Sequence, residues 1–241
     1  IKVLLPNAAE DPEQIDRLLA EARAVNAIRH PNIIDIFSFG DLGDGRHYFV
    51  MELLEGLPLD ALVQQKGRLS PAEVVTVLDQ AMSALGAAHA AGVVHRDIKP
   101  ANLFVTTLPD GAWHVTVLDF GLAKQLGASS ATQANLVMGT PGFMAPEQIR
   151  GNAVTAATDL YAMGVVAWLL LTGDEPYTSQ SVMQLLRHHL EQPLPDLTRL
   201  APETPRALVA LIERLLEKNP EDRPASAMAV RAELQQRRRG L

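Results

Sequence analysis

The sequence predicts an α+β protein of two unequal lobes, a small β-rich one over residues 1–54 and a larger, mainly helical one over residues 55–241. Three observations carry this reading. Short apolar runs separated by turn residues crowd the first fifty positions. Apolar residues at spacings of three and four dominate after Gly56. A content of 47% apolar and 20% charged residues over 241 positions is that of one large globular unit, or of two lobes sharing a cleft.

Each element has its own warrant. The opening residues Ile1, Val3, Leu4 and Leu5 read as a strand. A helix is predicted over Asp11–Ile28, where Ile15, Leu18, Leu19, Ala22 and Val25 share one face. The runs Ile33–Phe39 and His47–Leu53 flank Gly40-Asp41-Leu42-Gly43-Asp44-Gly45, turn chemistry that suits a hairpin. Ser70-Pro71-Ala72-Glu73 forms a capping box with proline at the first helical position, and Val74, Leu78, Ala81, Met82 and Leu85 make the apolar stripe behind it. Two short strands, Leu103–Thr106 and His114–Leu118, surround the Pro109-Asp110-Gly111 turn. Residues 127–135 are small and polar and predict a mobile loop. From Thr158 onward the chain is apolar on every side, the mark of a buried helix. Its longest apolar stretch, Leu160–Leu171, is shorter than the roughly 20 residues a bilayer demands. The pair His188-His189 reads as solvated histidines on a helix rather than as metal ligands. Leu208, Leu211, Ile212, Leu215 and Leu216 mark a further amphipathic helix.

Composition narrows the function. With 21 basic against 28 acidic residues the formal charge is −7, which argues against a general nucleic-acid surface. The absence of cysteine rules out disulfides, thiolate catalysis and cysteine-based zinc sites. No repeat and no signal peptide is visible. The first residue is an isoleucine inside an apolar run, so the sequence is expected to be an excerpt of a longer protein.

The chemistry concentrates in three motifs. His95-Arg96-Asp97-Ile98-Lys99-Pro100-Ala101-Asn102 comes first, Asp119-Phe120-Gly121 begins 17 residues after Asn102, and Ala145-Pro146-Glu147 begins 26 residues after Asp119. Each is weak alone, but the three in this order form a strong signal. Phosphoryl transfer needs these residue types because it is mostly positioning and charge neutralisation. Asp97 can accept or orient the proton of an attacking hydroxyl, and Lys99 can neutralise charge on the moving group. Asn102 and Asp119 offer the hard oxygen ligands that magnesium prefers. Gly121 permits the tight turn that aims Asp119 into a cleft.

On these motifs the sequence resembles the protein kinase family over nearly its whole length. His-Arg-Asp-x-Lys-x-x-Asn looks like the serine/threonine branch, and His95–Phe104 with Gly139–Glu147 looks like its bacterial members. The resemblance implies a two-lobed kinase-like fold and the transfer of the ATP γ-phosphoryl group to serine or threonine hydroxyls of proteins, with Mg2+ or Mn2+. It also implies roles for further residues. Lys2 would contact the α- and β-phosphates and pair with Glu21. Met51 resembles the gatekeeper, and Glu52 to Leu54 the hinge whose backbone binds adenine, above a floor of Phe104 and Leu118. Val25, Ile36, His95 and Phe120 match the apolar spine of active kinases, and His95 is expected to be a packed structural residue rather than a base. Asp159 resembles the aspartate that anchors the catalytic loop, and Arg223 the late partner of Glu147. Arg96 implies activation-loop phosphorylation, with Thr132 the expected autophosphorylation site and a kinase homodimer as its vehicle.

The resemblance also implies a glycine-rich loop 15–20 residues ahead of the lysine, which the 241 residues do not include, so weak nucleotide affinity is expected of them alone. It implies a cytoplasmic kinase domain; a basic stretch precedes a membrane span in many relatives, but Arg237-Arg238-Arg239 reads first as a charged helix end, and membrane attachment of a longer parent stays open. Two other functions compete. A pseudokinase scaffold would share the fold without transfer, but every visible motif residue is chemically competent. A small-molecule phosphotransferase of the aminoglycoside-kinase type would lack the Gly139–Glu147 segment.

Overall fold

The computed structural model describes residues 1–3, 20, 22–44, 46–120 and 141–238, with no side-chain account for 237 and 238. The expected helix over 11–28 is described only in its C-terminal part, where residues 22–28 (α1) are helical. Ala22 and Val25, on the predicted apolar face, are buried. The expected loop at 127–135 and the candidate phosphosite Thr132 lie outside the described residues.

Two small antiparallel sheets frame the first half. In one, β1 (Lys2–Val3) pairs with β3 (His47–Met51), which pairs with β2 (Ile36–Asp41), giving the order β1-β3-β2. The first strand of the predicted hairpin thus begins at Ile36 rather than Ile33. The reason is that Ile33 and its neighbours pair elsewhere. Ile34 N–H donates to the carbonyl of Val117 at 3.1 Å, and Val117 N–H donates to that of Asn32 at 2.8 Å. The second sheet has the order β4-β5-β6, with β4 at Leu57–Pro58, β5 at Leu103–Thr107 and β6 at Trp113–Val117. The two-residue β4 gave no sequence signal. Gly56, at φ 154°, is required beside it, because a side chain there would collide with the carbonyl of Val105.

The remainder is helical: α2 (Leu59–Lys66), α3 (Pro71–Ala90), α4 (Pro146–Ile149), α5 (Ala156–Thr172), α6 (Val182–Glu191), α7 (Leu197–Leu200), α8 (Arg206–Leu215) and α9 (Ala227–Arg238). The capping box of α3 forms as predicted: Glu73 N–H donates to Ser70 Oγ, and the Glu73 carboxylate accepts from Ser70 N–H at 2.8 Å. Helix α5 is the hub of the core. Leu160, Tyr161, Met163, Val165, Val166, Trp168, Leu170 and Leu171 are all at most 1% exposed, which explains why its sequence shows no polar face. It ends where Gly173 takes the left-handed conformation at φ 85°. Among the described residues no helix is long and apolar enough to cross a membrane.

The turn after α1 fastens the small sheet to the large lobe. The Asn32 side-chain amide donates to Gln80 Oε1 at 2.9 Å and to the Val115 carbonyl at 2.8 Å. Gln80 of α3 also accepts from Val115 N–H and donates to the Trp113 carbonyl, so it zips α3 to β6. His30 Nε2 and Ser83 Oγ share a hydrogen bond of 3.0 Å.

The expectation for His188-His189 needs correction. His189 is fully buried on the inner face of α6, where its Nδ1 lies 2.8 Å from the Tyr161 hydroxyl. Burial, with the nearby Lys218 charge, depresses it to about 4. The adjacent pair misled because only one of two consecutive helical residues faces the core.

The strongest buried polar link is the pair Glu147–Arg223, with two N–H···O bonds of 2.8 Å and both side chains at most 3% exposed. Thr158 Oγ donates to the same carboxylate at 2.8 Å, Arg223 donates also to the carbonyls of Ala157 and Glu217, and its guanidinium lies 4.9 Å from the Tyr161 ring centroid. Burial works to raise the Glu147 carboxyl, but the hydrogen bonds from Arg223 and Thr158 outweigh it and hold the group below the ordinary glutamate range. Replacing Glu147 by alanine strands a buried guanidinium, with an expected loss of about 3–5 kcal/mol in denaturant unfolding. The native carboxylate is the form that stabilises. Its contribution is therefore complete above the ordinary value of 4.5 and is lost as pH falls through the lowered folded value. Unfolding midpoints of wild type and Glu147→Gln should accordingly converge across that acidic window.

Candidate active site

The loop between α3 and β5 carries the first motif, and its shape is imposed by a buried carboxylate. Asp159, on the first turn of α5 and 1% exposed, accepts the backbone N–H of His95 at 2.9 Å and that of Arg96 at 2.8 Å. His89 Nε2 donates to the same side chain at 2.8 Å. Two consecutive amides aimed at one carboxylate force a sharp turn, and Arg96 sits at φ 67° as a result. Gln148 of α4 donates to the Arg96 carbonyl at 3.0 Å, tying the third motif to the first.

His95 packs rather than titrates. Its Nε2 is 2.8 Å from the Leu118 carbonyl, which can only accept, so Nε2 carries the proton. Nδ1 then accepts from Asp97 N–H at 3.3 Å. Burial lowers its pKa, partly offset by the charge of Asp159. Its ring contacts that of Phe120, with centroids 4.7 Å apart. Val25, Ile36 and Phe120 are buried and line one small cavity with Ala22, Ile34, Met51 and Asp119.

Asn102 joins the two acidic motifs. Its side-chain amide donates to the Asp97 carbonyl at 2.8 Å and to Asp97 Oδ2 at 3.2 Å. Its own carbonyl accepts from Leu118 N–H at 2.9 Å, immediately before Asp119. Lys99 Nζ lies 2.8 Å from Asp97 Oδ2. Asp119 takes the left-handed conformation at φ 53°, and its Oδ2 accepts from Lys2 Nζ at 2.6 Å. The β5–β6 hairpin explains this convergence, since its two open ends carry Asn102 and Leu118.

The other expected residues surround this centre. Met51 ends β3 and lines the small cavity beside Asp119 and Phe120. Glu52 is exposed, and its N–H donates to the Asp35 carbonyl at 3.0 Å. Leu54, Phe104 and Leu118 are half-buried, with Phe104 opposite Pro58 in the β4–β5 pair. Glu21 lies outside the described residues, so the described partner of Lys2 is Asp119. Sequence reading missed His89, whose bond to Asp159 spans 70 residues, and Gln148. Neither belongs to a recognisable motif.

The arrangement offers a carboxylate beside a lysine, and two hard oxygen donors from the two open ends of the β5–β6 hairpin. The Asn102 and Asp119 oxygens suit a divalent cation such as magnesium, which takes few protein ligands and completes its shell with phosphate and water. Among the described residues no cluster of three His, Cys, Asp or Glu side chains could hold a metal unaided.

The centre sits in a two-lobed α+β fold, and comparison with known proteins gives that fold a family. The protein kinase domain model matches residues 1–234. Serine/threonine-protein kinase Pkn1 of Myxococcus xanthus is 46% identical over 237 residues, 98% of this chain and 34% of that protein. Serine/threonine-protein kinase PknA of Mycobacterium tuberculosis is 40% identical over 224 residues, 91% of this chain and 50% of that protein. The crystal structure of the Mycobacterium tuberculosis PknI kinase domain matches with a TM-score of 0.75 at 26% identity, covering 98% of this chain and 84% of that one. The chain belongs to the protein kinase domain family, and these relatives are bacterial serine/threonine-protein kinases. It spans about a third to a half of the length of the curated relatives.

Removing the Asp159 carboxylate leaves the N–H groups of His95 and Arg96 without their acceptor. Asp159→Ala is expected to cost about 1–3 kcal/mol per stranded donor, and amide hydrogen exchange at residues 95 and 96 should accelerate well beyond that of α3.

Proposed function

We propose that this chain is the catalytic part of a serine/threonine protein kinase that moves the γ-phosphoryl group of ATP to protein hydroxyls with magnesium. The observation that carries the reading is Asn102, which bonds Asp97 through its side chain and the residue before Asp119 through its carbonyl. That linkage holds a base candidate and a cation ligand in one frame. In the proposal Asp97 takes or orients the proton of the substrate hydroxyl, and Lys99 offsets charge on the phosphoryl group in flight. Asn102 and Asp119 hold the magnesium that neutralises the phosphates. Lys2 exchanges its contact with Asp119 for the α- and β-phosphates, aided by Glu21. Met51, Glu52, Leu54, Phe104 and Leu118 bound the adenine site.

The pseudokinase reading finds no support, since Asp97, Lys99, Asn102 and Asp119 all retain their functional groups. Autophosphorylation at Thr132 through a second copy belongs to the same proposal, as does a cytoplasmic location, where ATP is supplied. Membrane attachment of a longer protein has no support among the described residues.

Transfer of labelled phosphate from ATP by the intact protein should fall about 10²–10⁴-fold in Asp97→Asn, with a comparable loss in Asp119→Asn. Equal labelling by wild type and both variants would reject the reading. The Lys2–Asp119 pair is 40% and 26% exposed, so Lys2→Met should shift the unfolding free energy by less than about 1 kcal/mol. A large loss of Mg-ATP affinity in that variant, measured by calorimetry with stability unchanged, would separate its functional role from a structural one.

A further inference from the structure

Glu175 follows the end of α5, beside the segment Pro141–Phe143 that leads into the Ala145-Pro146-Glu147 motif. The location is fixed by chemistry on both sides. Gly173 closes α5 in the left-handed conformation, Thr172 Oγ donates to the Asp174 carbonyl at 2.8 Å, and Pro176 is buried. The carboxylate occupies the space that a side chain at 142 would fill, since a Cβ there would collide with both Glu175 oxygens. Gly142 is itself buried within a short 3-10 turn. No hydrogen bond or ion pair among the described residues engages the Glu175 side chain, although it is only partly exposed. Burial holds its carboxyl above the ordinary carboxylate range.

The segment against which this carboxylate packs is tied to the loop that carries Asp97. Gly142 is three residues from Ala145, at most about 10 Å along an extended chain. Ala145 N–H donates to Gln148 Oε1 at 3.1 Å, and the Gln148 amide donates to the Arg96 carbonyl next to Asp97. A peptide that crosses Asp97 and runs along the Pro141–Phe143 segment reaches Glu175. We propose that Glu175 is a specificity-determining residue that pairs with a basic side chain of the peptide substrate, its carboxylate standing where Gly142 has none to offer. The inference rests on the kinase reading above.

The test uses the intact protein and three peptide sets that share one phosphoacceptor and differ only in carrying scattered arginine, glutamine or glutamate at flanking positions. A hydrogen-bonded pair with a charged group is worth about tenfold in binding, so wild type should favour the arginine set over the glutamine set by about that ratio in kcat/KM. The near-isosteric Glu175→Gln should bring the ratio to about one, and Glu175→Lys should favour the glutamate set. A wild type without preference, or a ratio unmoved by both variants, would overturn the assignment while leaving the kinase reading intact. Absence of transfer to every set by wild type would overturn the kinase reading itself, and this inference with it.

Discussion

A single buried carboxylate organises this molecule. Asp159 sits at the start of the most enclosed helix, where an unpaired charge would be prohibitive, and it is tolerated because two backbone amides and His89 converge on it. The constraint works in both directions. The core dictates where the acceptor stands, and the acceptor dictates the turn at His95 and Arg96. Asp97 emerges from that turn already oriented, so the precision of a loop is borrowed from the rigidity of a helix.

The second acidic residue is positioned by different means. Asp119 leaves the β6 strand in a left-handed conformation, and its predecessor is held between the Asn102 carbonyl and the His95 imidazole. One residue on each side of the β5–β6 hairpin thus touches the loop carrying Asp97. By contrast, the pair Glu147–Arg223 holds a different part of the chain, with Gln148 carrying the connection back to Arg96.

Much of this was legible in the sequence because local chemistry and global fold agree. The capping box at Ser70, the apolar stretch of α5 and the strands around Pro109-Asp110-Gly111 all form within a residue or two of expectation. The motif residues Asp97, Lys99 and Asn102 lie together in the loop before β5. What the sequence hid is long-range. Ile33 pairs with Val117 instead of extending the hairpin, because partner choice across 84 positions leaves no periodic trace. The two-residue β4 is too short to have a pattern. His189 read as solvated because nothing local marks its burial, and the rings it packs against, Tyr161 and Tyr177, come from elsewhere in the chain.

The knot at Asn32 has a mechanical consequence. Helix α1 travels with the small sheet, since Arg23 lies over the Phe39 ring and Ile36 N–H donates to Asn26. The turn that follows it is stitched to α3 and β6. Sliding of the sheet over the helices would tear those stitches, whereas swinging about them would not. The helix is then a short lever on a fixed pivot: seven residues span about 10 Å, so a swing of roughly 20° carries its far tip some ~3–4 Å while Ile33 hardly stirs.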